Sequence, residues 1–336
     1  MTKRLIAFHE FNLAYEGRAY LPLVSGQLLA SAWQDPWLRE TYELGSLCFV
    51  HQPLSEVESL SGREVDVAAF SVSLWNEQLS LAVAEQVRRR FPSSLIVFGG
   101  CHIPFDGRDY LARYPFIDLT TRGEGERTFT AILRAHATTQ EYRALPGLTL
   151  RDGTITPNSQ GPKNLDEFPS PYLTGWYEPL LKAHPEIQFQ AIIETNRGCW
   201  ANCFFCYWGN ELNQKYRFFS VPRIDAILQW IAAHRIEYVF NADSNFGMPK
   251  QDEAILDRLL SWNHETGFPK KFRTCWGKNS NEKIYLMAKK LHDASMDKGL
   301  TLSRQSQNPD TLKAVHRSNI RLDDYEKLLQ RGQRDG

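Results

Sequence analysis

Three cysteines lie close together in the second half of the chain, at Cys199, Cys203 and Cys206. They follow the apolar run 189–193, which is typical of a buried strand, so we expect them on a loop that leaves the end of that strand. Three thiolates at this spacing can hold three irons of a 4Fe-4S cluster, whereas an electron-transfer cluster normally has four cysteine ligands. One iron would then keep an open coordination position, as catalytic metal sites do.

A zinc site and chance are the alternative interpretations of these cysteines. Zinc would need a fourth nitrogen or sulfur ligand nearby, yet no His or Cys occurs between Cys206 and His234. The pattern therefore favours the cluster.

The cysteine spacing, the aromatic Phe205 before the last cysteine and the preceding strand resemble the radical S-adenosylmethionine (radical SAM) superfamily. The resemblance implies that SAM chelates the open iron and that one electron cleaves it to methionine and a 5′-deoxyadenosyl radical. It also implies SAM contacts from Phe205, from Asp243 and Asn245 after the second strand, and from Ser303 and Gln305 after the fourth. A turn or helix cap is the other interpretation of Asp243 and Asn245.

Further expectations concern three residues near these positions. Tyr207 and Trp208 follow the cysteines and are expected to shield the cluster from water. Cys275 lies in a predicted strand and is interpreted as a buried structural cysteine.

Composition limits the possible partners and location. The 336 residues suffice for two domains, and Lys+Arg and Asp+Glu both number 39, so the net charge is zero and no basic footprint for nucleic acid is visible. The remaining cysteines are scattered, which argues against a disulfide framework. No signal peptide and no apolar run of ~18 residues is found, so we expect no membrane association and a cytoplasmic location.

The first half of the chain alternates between strand-like and helix-like segments. This succession predicts an α/β fold with an N-terminal doubly wound, Rossmann-like parallel sheet in a domain spanning 1–145. Strands are predicted at 4–8, 42–50, 65–74, 95–98 and 117–121, and helices at 21–33, 77–90, 109–113 and 125–137, with a further short helix capped by Ser55.

Small and polar residues follow three of these predicted strands, at the edge where such sheets bind ligands. Taken singly, each group is more typical of a turn. The groups are Ser71, Ser73 and Trp75; Gly99, Gly100 and His102; and Gly123, Glu124, Gly125 and Glu126.

As a set, these groups resemble the cobalamin-binding domain of cobalamin-dependent radical SAM enzymes. The resemblance implies that Gly99, Gly100 and the 123–126 turn lie along the nucleotide tail of cobalamin. It places Ser71, Ser73 and Trp75 near the corrin face.

One departure from related cobalamin domains concerns the ligand below cobalt. The D-x-H-x-x-G motif that supplies a histidine in the methionine-synthase type is absent, because no Asp-x-His occurs in the chain. We interpret His9 and His102 as structural or tail-contacting histidines. Our hypothesis is that Trp75 covers the lower face of cobalt; the alternative is a core aromatic that caps the sheet.

The second half predicts a hairpin at Asp152-Gly153 and a linker, together spanning 146–186, and then a domain over 187–336. Four strand–helix units are predicted there, followed by a helix at 323–329. They resemble a partial (β/α) barrel that is expected to be truncated at the C-terminus, as a fragment, a short barrel or a barrel completed by another chain. The strands are 189–194, 238–242, 271–276 and 300–304, and the helices are 224–234, 253–266, 282–294 and 309–315.

Together, the cluster, SAM and cobalamin imply a radical SAM C-methyltransferase. Such an enzyme uses methylcobalamin to methylate an unactivated carbon of a natural-product or peptide substrate, with an external electron donor. A cobalamin-dependent rearrangement or cyclisation enzyme and a cofactor-binding module without turnover are the alternatives.

Overall fold

A computed structural model describes residues 2–52, 65–201, 203–206, 208, 215–279, 282–297 and 299–335. The chain divides into two compact units, Met1–Pro162 with Phe168–Phe189, and Lys163–Glu167 with Gln190–Gly336. Ser55 and Tyr207 lie outside the described residues, so the predictions for them stay predictions. None of the helices described is both long and apolar enough to cross a bilayer.

The first unit is built on a six-stranded sheet. Its strands, in chain order with the separate short strand β2, are β1 Arg4–Asn12, β2 Arg18–Tyr20, β3 Tyr42–Val50, β4 Val67–Ser71, β5 Leu95–Gly99, β6 Leu119–Thr121 and β7 Leu148–Leu150. The sheet order is β3–β1–β4–β5–β6–β7. All neighbouring strands are parallel except β6 and β7, which are antiparallel.

Helices cover both faces of this sheet. The helices of the first unit are α1 Leu23–Ala32, α2 Pro36–Thr41, α3 Glu77–Arg90, α4 Arg108–Arg113, α5 Gly125–Thr138 and α6 Glu178–Ala183. One apolar core joins the sheet to α1, α2 and α5, and the other joins it to α3 and α4. The predicted doubly wound α/β fold is therefore confirmed.

The central strand β4 is apolar over Val67–Phe70 because both of its faces are buried. In β4, Val67 and Ala69 pack into one core while Ala68 and Phe70 pack into the other. Since successive side chains of a strand point to opposite faces, a continuous apolar run is what such a strand requires.

The hairpin predicted at Asp152-Gly153 follows β7. Gly153 has a φ of +85°, and the Leu150 N–H donates to the Thr154 carbonyl at 2.9 Å. Beyond the hairpin, the predicted linker is partly ordered, because Tyr177 is fully buried just before α6. The absence of a sustained apolar period left that helix unpredicted.

The second unit contains three parallel strands, in the order β12–β11–β8. Its strands are β8 Gln188–Ile193, β9 Asn196–Arg197, β10 Arg217–Phe218, β11 Tyr238–Phe246 and β12 Lys271–Trp276. Its helices are α7 Val221–Ala233, α8 Asp252–Thr266, α9 Glu282–Asp293, α10 Pro309–Ala314 and α11 Leu322–Asp335. Three of the four predicted strand–helix units are present, and within the described ranges the strands do not close into a barrel.

The fourth predicted strand, 300–304, is wrong. Gly299 has a φ of +127°, and the described residues from 299 to 308 form no strand. An extended segment becomes a strand only when a neighbour accepts its backbone hydrogen bonds, and only Leu300 and Leu302 are apolar in this stretch.

The prediction that Cys275 is buried is also wrong. In β12, Phe272, Thr274 and Trp276 are buried, whereas Arg273 and Cys275 are exposed on the opposite face. Side chains of a strand alternate between its two faces, and only one face of β12 is covered. Cys275 is exposed because it lies on the uncovered face.

Candidate cofactor-binding sites

The carboxyl edge of the first sheet brings the predicted cobalamin residues together on neighbouring strands. The turns after β4 and β5 are joined by backbone hydrogen bonds: Val72 N–H donates to Gly99 at 2.7 Å, and His102 N–H donates to Val72 at 3.2 Å. Ser71, Ser73, Gly99, Gly100 and His102 therefore lie on one connected pair of turns.

Asn76 fixes the turn after β4. Its side-chain amide donates to the carbonyls of Glu10 at 2.8 Å and Ser71 at 2.9 Å, and its Oδ1 accepts the N–H of Ser73 at 2.8 Å. Because Asn76 is almost fully buried, these bonds hold the loop that carries Ser73 and Trp75 against the end of β1.

Gly99 and Gly100 are required by the packing of the protein itself. A Cβ at Gly99 would lie 2.4 Å from the Thr121 hydroxyl oxygen. Gly100 has a φ of +113°, and a Cβ there would lie 2.4 Å from the carbonyl oxygen of Val72. Both positions therefore have a structural reason for glycine, and contact with cobalamin stays a prediction.

The Trp75 side chain is 54% exposed, and its neighbour Leu74 is 76% exposed. Phe105, in the segment that follows β5, is 55% exposed. The alternative that Trp75 is a core aromatic is therefore wrong. Large apolar side chains that follow the carboxyl ends of adjacent strands offer a surface for a flat apolar ligand.

The two histidines differ in environment. His9 is buried and its ring stacks on Phe70 with centroids 4.3 Å apart, and burial lowers its pKa to about 4. His102 is partly exposed, and its Nε2 lies 3.4 Å from a carboxylate oxygen of Glu77. His9 thus packs inside the first unit, and the interpretation of both histidines as structural or tail-contacting residues stays a prediction.

The third predicted group lies at the start of α5. Gly123 has a φ of +77°, Glu124 takes the extended N-cap conformation, and Gly125 begins the helix. Glu126 is buried in the first turn. This turn follows β6, the neighbour of β5, so it lies at the same edge of the sheet as Gly99.

In the second unit, the cysteines lie on the loop that leaves β8, as predicted. β9 and β10 close this loop as an antiparallel ribbon, in which Arg197 pairs with Arg217 and Asn196 with Phe218. The loop is therefore anchored at both ends next to the carboxyl edge of the parallel strands.

The three cysteines of the loop are free thiols. Cys199 and Cys203 are buried, and Cys206 is partly exposed. In the part of the chain that the structure describes, no three His, Cys, Asp or Glu residues are grouped to hold a metal ion. Thiolates on a cubane bind different irons, so they need not converge on one ion, and three unpaired cysteines are a donor set that suits a cluster.

Two buried cysteines also face nitrogen donors. Asn245 Nδ2 donates to Cys199 Sγ at 3.2 Å, and Arg317 Nη1 lies 4.0 Å from Cys203 Sγ. Arg317 Nε and Nη2 are buried and have no hydrogen-bond partner among the described residues. Groups of this kind offset the negative charge of thiolates, so the surroundings of the sulfur atoms fit an anionic cluster.

Asp243 is the centre of a buried hydrogen-bond network. Its carboxylate accepts from the backbone N–H of Thr195 at 2.9 Å and from the Thr195 hydroxyl, and also from the side-chain amides of Asn196 at 2.9 Å and Asn241 at 3.0 Å. Burial raises the pKa of Asp243 to about 6, although these donors act in the opposite direction. The network connects β11 to the residues that precede the cysteine loop.

A second buried carboxylate follows β11. Asp252 accepts the backbone N–H of Gly247 at 2.6 Å, and burial raises its pKa to about 7. This contact holds the turn that connects Asn245 to α8.

The remaining predicted SAM residues are more exposed. Phe205 is 56% exposed on the cysteine loop, Ser303 is partly buried and Gln305 is exposed on the segment after Gly299. Contact of these residues with SAM stays a prediction, and so does shielding of the cluster by the partly buried Trp208.

Sequence reasoning missed Thr195, Tyr216 and Arg317. The polar run that directly follows the apolar strand β8 was a signal for the Thr195 network, because polar residues at a buried strand end need partners. Nothing local distinguishes Arg317 from the other arginines near it, since its position beside Cys203 depends on the path of the chain after α10.

Comparison with known proteins finds relatives that match almost the whole chain. The chain is 36% identical over 318 residues to the cobalamin-dependent radical SAM methyltransferase TokK of Streptomyces tokunonensis, covering 93% of this chain and 46% of TokK. Over almost its whole length, the chain is similar to cobalamin-dependent radical SAM enzymes.

A second relative in this family is the 2-(S-pantetheinyl)-carbapenam-3-carboxylate methyltransferase of Streptantibioticus cattleyicolor. It is 36% identical over 319 residues, which cover 93% of this chain and 46% of that protein. The chain thus spans about half the length of the curated relatives it matches. No family model matches the chain.

The fold is also similar to that of a solved structure. A structure of the radical S-adenosylmethionine methyltransferase TsrM from Kitasatospora setae, with cobalamin and a 4Fe-4S cluster bound, matches with a TM-score of 0.71 and 15% identity. The match covers 100% of this chain and 65% of TsrM.

Proposed function

We propose that the chain functions as a cobalamin-dependent radical SAM C-methyltransferase, acting on an unactivated carbon of a natural-product or peptide substrate. The observation that carries the proposal is the loop after β8, where Cys199 and Cys203 are buried and faced by nitrogen donors. The resemblance to methyltransferases over 93% of the chain supports the type of reaction.

In this proposal Cys199, Cys203 and Cys206 hold a 4Fe-4S cluster, and the missing fourth cysteine leaves a position for SAM. The cluster with SAM would supply a hydrogen-abstracting radical, and methylcobalamin would supply the methyl group. The chain's own residues would bind and orient these cofactors. Arg317 brings a positive charge to the sulfur of Cys203, and its two unpartnered nitrogens, Nε and Nη2, can donate hydrogen bonds to anionic oxygens or sulfurs there.

The carboxyl edge of the first sheet is the proposed cobalamin site. Asn76 holds the loop of Ser73 and Trp75, and the exposed ring of Trp75 is available to cover one face of the corrin. No Asp-x-His motif is present to supply a histidine below cobalt. We therefore propose an apolar lower face at this position.

The name of the second relative supports the proposed substrate class. The S. cattleyicolor protein is named for a pantetheinyl carbapenam carboxylate, a small molecule. We propose a small natural-product intermediate of comparable chemistry as the substrate here, an external reductant as the electron donor and the cytoplasm as the location. A cyclisation or rearrangement enzyme would use the same two cofactors.

The test is an anaerobic incubation of the reconstituted chain with SAM, reductant and a pantetheinyl carbapenam. Formation of 5′-deoxyadenosine distinguishes either enzyme from a cofactor-binding module, and S-adenosylhomocysteine distinguishes the methyltransferase from the cyclisation enzyme. We expect both products and a methylated carbapenam. Absence of 5′-deoxyadenosine from a cluster-loaded chain would contradict the proposal.

A further inference from the structure

The side chain of Asn245 is buried directly beside Cys199. Only 7% of Asn245 is exposed, and its Nδ2 donates to the Cys199 Sγ at 3.2 Å. Family resemblance assigns Asn245 to SAM, but the geometry directs its amide hydrogen at a cluster ligand. Of the two ends of the amide, only the nitrogen end can donate to a thiolate.

Neighbouring side chains determine this orientation. Ser244 Oγ lies 3.1 Å from Asn245 Nδ2 and donates to the Gly198 carbonyl at 2.9 Å, which connects the end of β11 to the cysteine loop. The hydroxyl of Tyr216 is buried and faces Ser244, Asn245 and Cys199, with no hydrogen-bond partner at normal distance among the described residues. Burial raises the pKa of Tyr216 and the Asn245 side chain acts to lower it, so Asn245 faces the phenol oxygen as a donor, and the phenol lies on the nitrogen side of the amide.

Hydrogen bonds to the sulfur ligands are one of the factors that set the reduction potential of an iron–sulfur cluster. When one electron passes from an external donor to the cluster, negative charge on the thiolates increases and no bond is made or broken. A donor already pointing at the sulfur stabilises the reduced state more than the oxidised state. It therefore makes the cluster easier to reduce.

We propose that Asn245 is a positioning residue of the cluster, whose amide hydrogen bond to Cys199 raises the reduction potential, and that Ser244 and Tyr216 hold the amide in place. The inference rests on the proposed function, because it requires Cys199 to bind the cluster. It assigns to Asn245 a role that does not depend on SAM.

The experiment is a redox titration of the anaerobically reconstituted whole chain, without SAM, substrate or cobalamin, followed by the EPR signal of the reduced cluster. Asn245→Leu keeps the size of the side chain but removes the donor, and we expect full iron content with a more negative midpoint potential. Tyr216→Phe keeps the ring and is expected to shift the potential in the same direction by less. Asn263→Leu is the matched control, because Asn263 donates to the Pro269 carbonyl, and its potential should equal that of the unsubstituted chain.

A wild-type potential in the Asn245→Leu variant at full iron content would overturn the inference. SAM is then added to a second sample of the same variant. An unchanged potential together with loss of the SAM-induced change in the EPR signal would also overturn the inference, because Asn245 would then act on SAM. If Asn245→Leu does not assemble a cluster, the Tyr216→Phe variant decides, and a wild-type potential there overturns the inference. Failure of the unsubstituted chain to bind a cluster would contradict the proposed function itself.

Discussion

The carboxylate of Asp243 accepts the backbone N–H of Thr195 at 2.9 Å, which joins the carboxyl end of β11 to the point where the cysteine loop leaves β8. The two residues are 48 positions apart in the chain. Because the carboxylate also binds Asn196 and Asn241, its position determines how the loop begins. A single buried acid thus supports the geometry of the proposed cluster site.

The Asp243 carboxylate should make stability depend on pH. Its folded pKa of about 6 lies above the ordinary 3.8, so between these values the folded state binds more protons than the unfolded state. The contribution of Asp243 to the free energy of unfolding should therefore fall by about 3 kcal/mol as pH rises through this window and stay level above it. We expect urea unfolding of the cofactor-free chain to show this term.

Asp243→Asn isolates the effect. The variant cannot titrate at this position, so the difference between its stability and that of the unsubstituted chain should change with pH mainly within this window. Because burial and also the Asp243 charge raise the pKa of Asp252, which is about 7, the change should extend toward pH 7. Burial lowers the pKa of His9 to about 4, so His9 gives stability the opposite pH dependence. His9 is present in both proteins, and its contribution therefore cancels in the difference. Parallel pH profiles for the two proteins would contradict the assignment.

Gly100→Ala should destabilise the first unit strongly. The new Cβ would meet the Val72 carbonyl oxygen in a backbone with a φ of +113°. Gly153→Ala is the matched control, because Gly153 has a φ of +85° and nothing within 4 Å. We expect the free energy of unfolding to fall by roughly 1–2 kcal/mol in the control, because alanine disfavours the left-handed conformation. In Gly100→Ala it should fall by ~2 kcal/mol more. Equal losses of unfolding free energy in the two variants, measured by denaturant unfolding, would contradict this prediction. They would mean that the overlap between the new Cβ and the Val72 carbonyl oxygen is relieved.

Trp75→Ala should change cobalamin binding without changing stability. Because Trp75 is 54% exposed, the free energy of unfolding should change by less than ~0.5 kcal/mol. The visible spectrum of bound cobalamin should change, and turnover should fall. Trp37→Ala is the control, since Trp37 is 40% exposed on α2. An unchanged cobalamin spectrum and unchanged turnover in the Trp75 variant would contradict the proposed lower face.

Cys206→Ser and Cys275→Ser should differ in iron content. Both thiols are free and neither is buried, but only Cys206 belongs to the cysteine loop. We expect the first variant to lose the brown colour and most of its iron after reconstitution, and the second to retain both. Iron retained by Cys206→Ser would remove this residue from the ligand set.

Much of the fold was predictable from apolar periodicity. The bounds of β3, α3 and β12 coincide with the predicted segments, because each element buries a regular face or run. The strand predicted at 300–304 failed for a different reason. Strand formation depends on a neighbour that accepts its hydrogen bonds, and a local pattern does not contain that information.

The site was predictable only in part. The spacing of Cys199, Cys203 and Cys206 is visible in the sequence because the three ligands are local. The donors Asn245 and Arg317 reach the sulfur atoms from positions 46 and 114 residues away, so their roles depend on tertiary structure. Asn245 and Asp243 were recognised as polar strand-end residues, but their partners were not.

The most direct test of the account is the cofactor content of the anaerobically reconstituted chain, with iron, sulfide and cobalamin measured beside the visible spectrum. We expect about four irons, about four sulfides and about one cobalamin per chain, with a brown cluster absorption. A colourless protein that holds zinc, or a chain that retains neither cofactor, would contradict it.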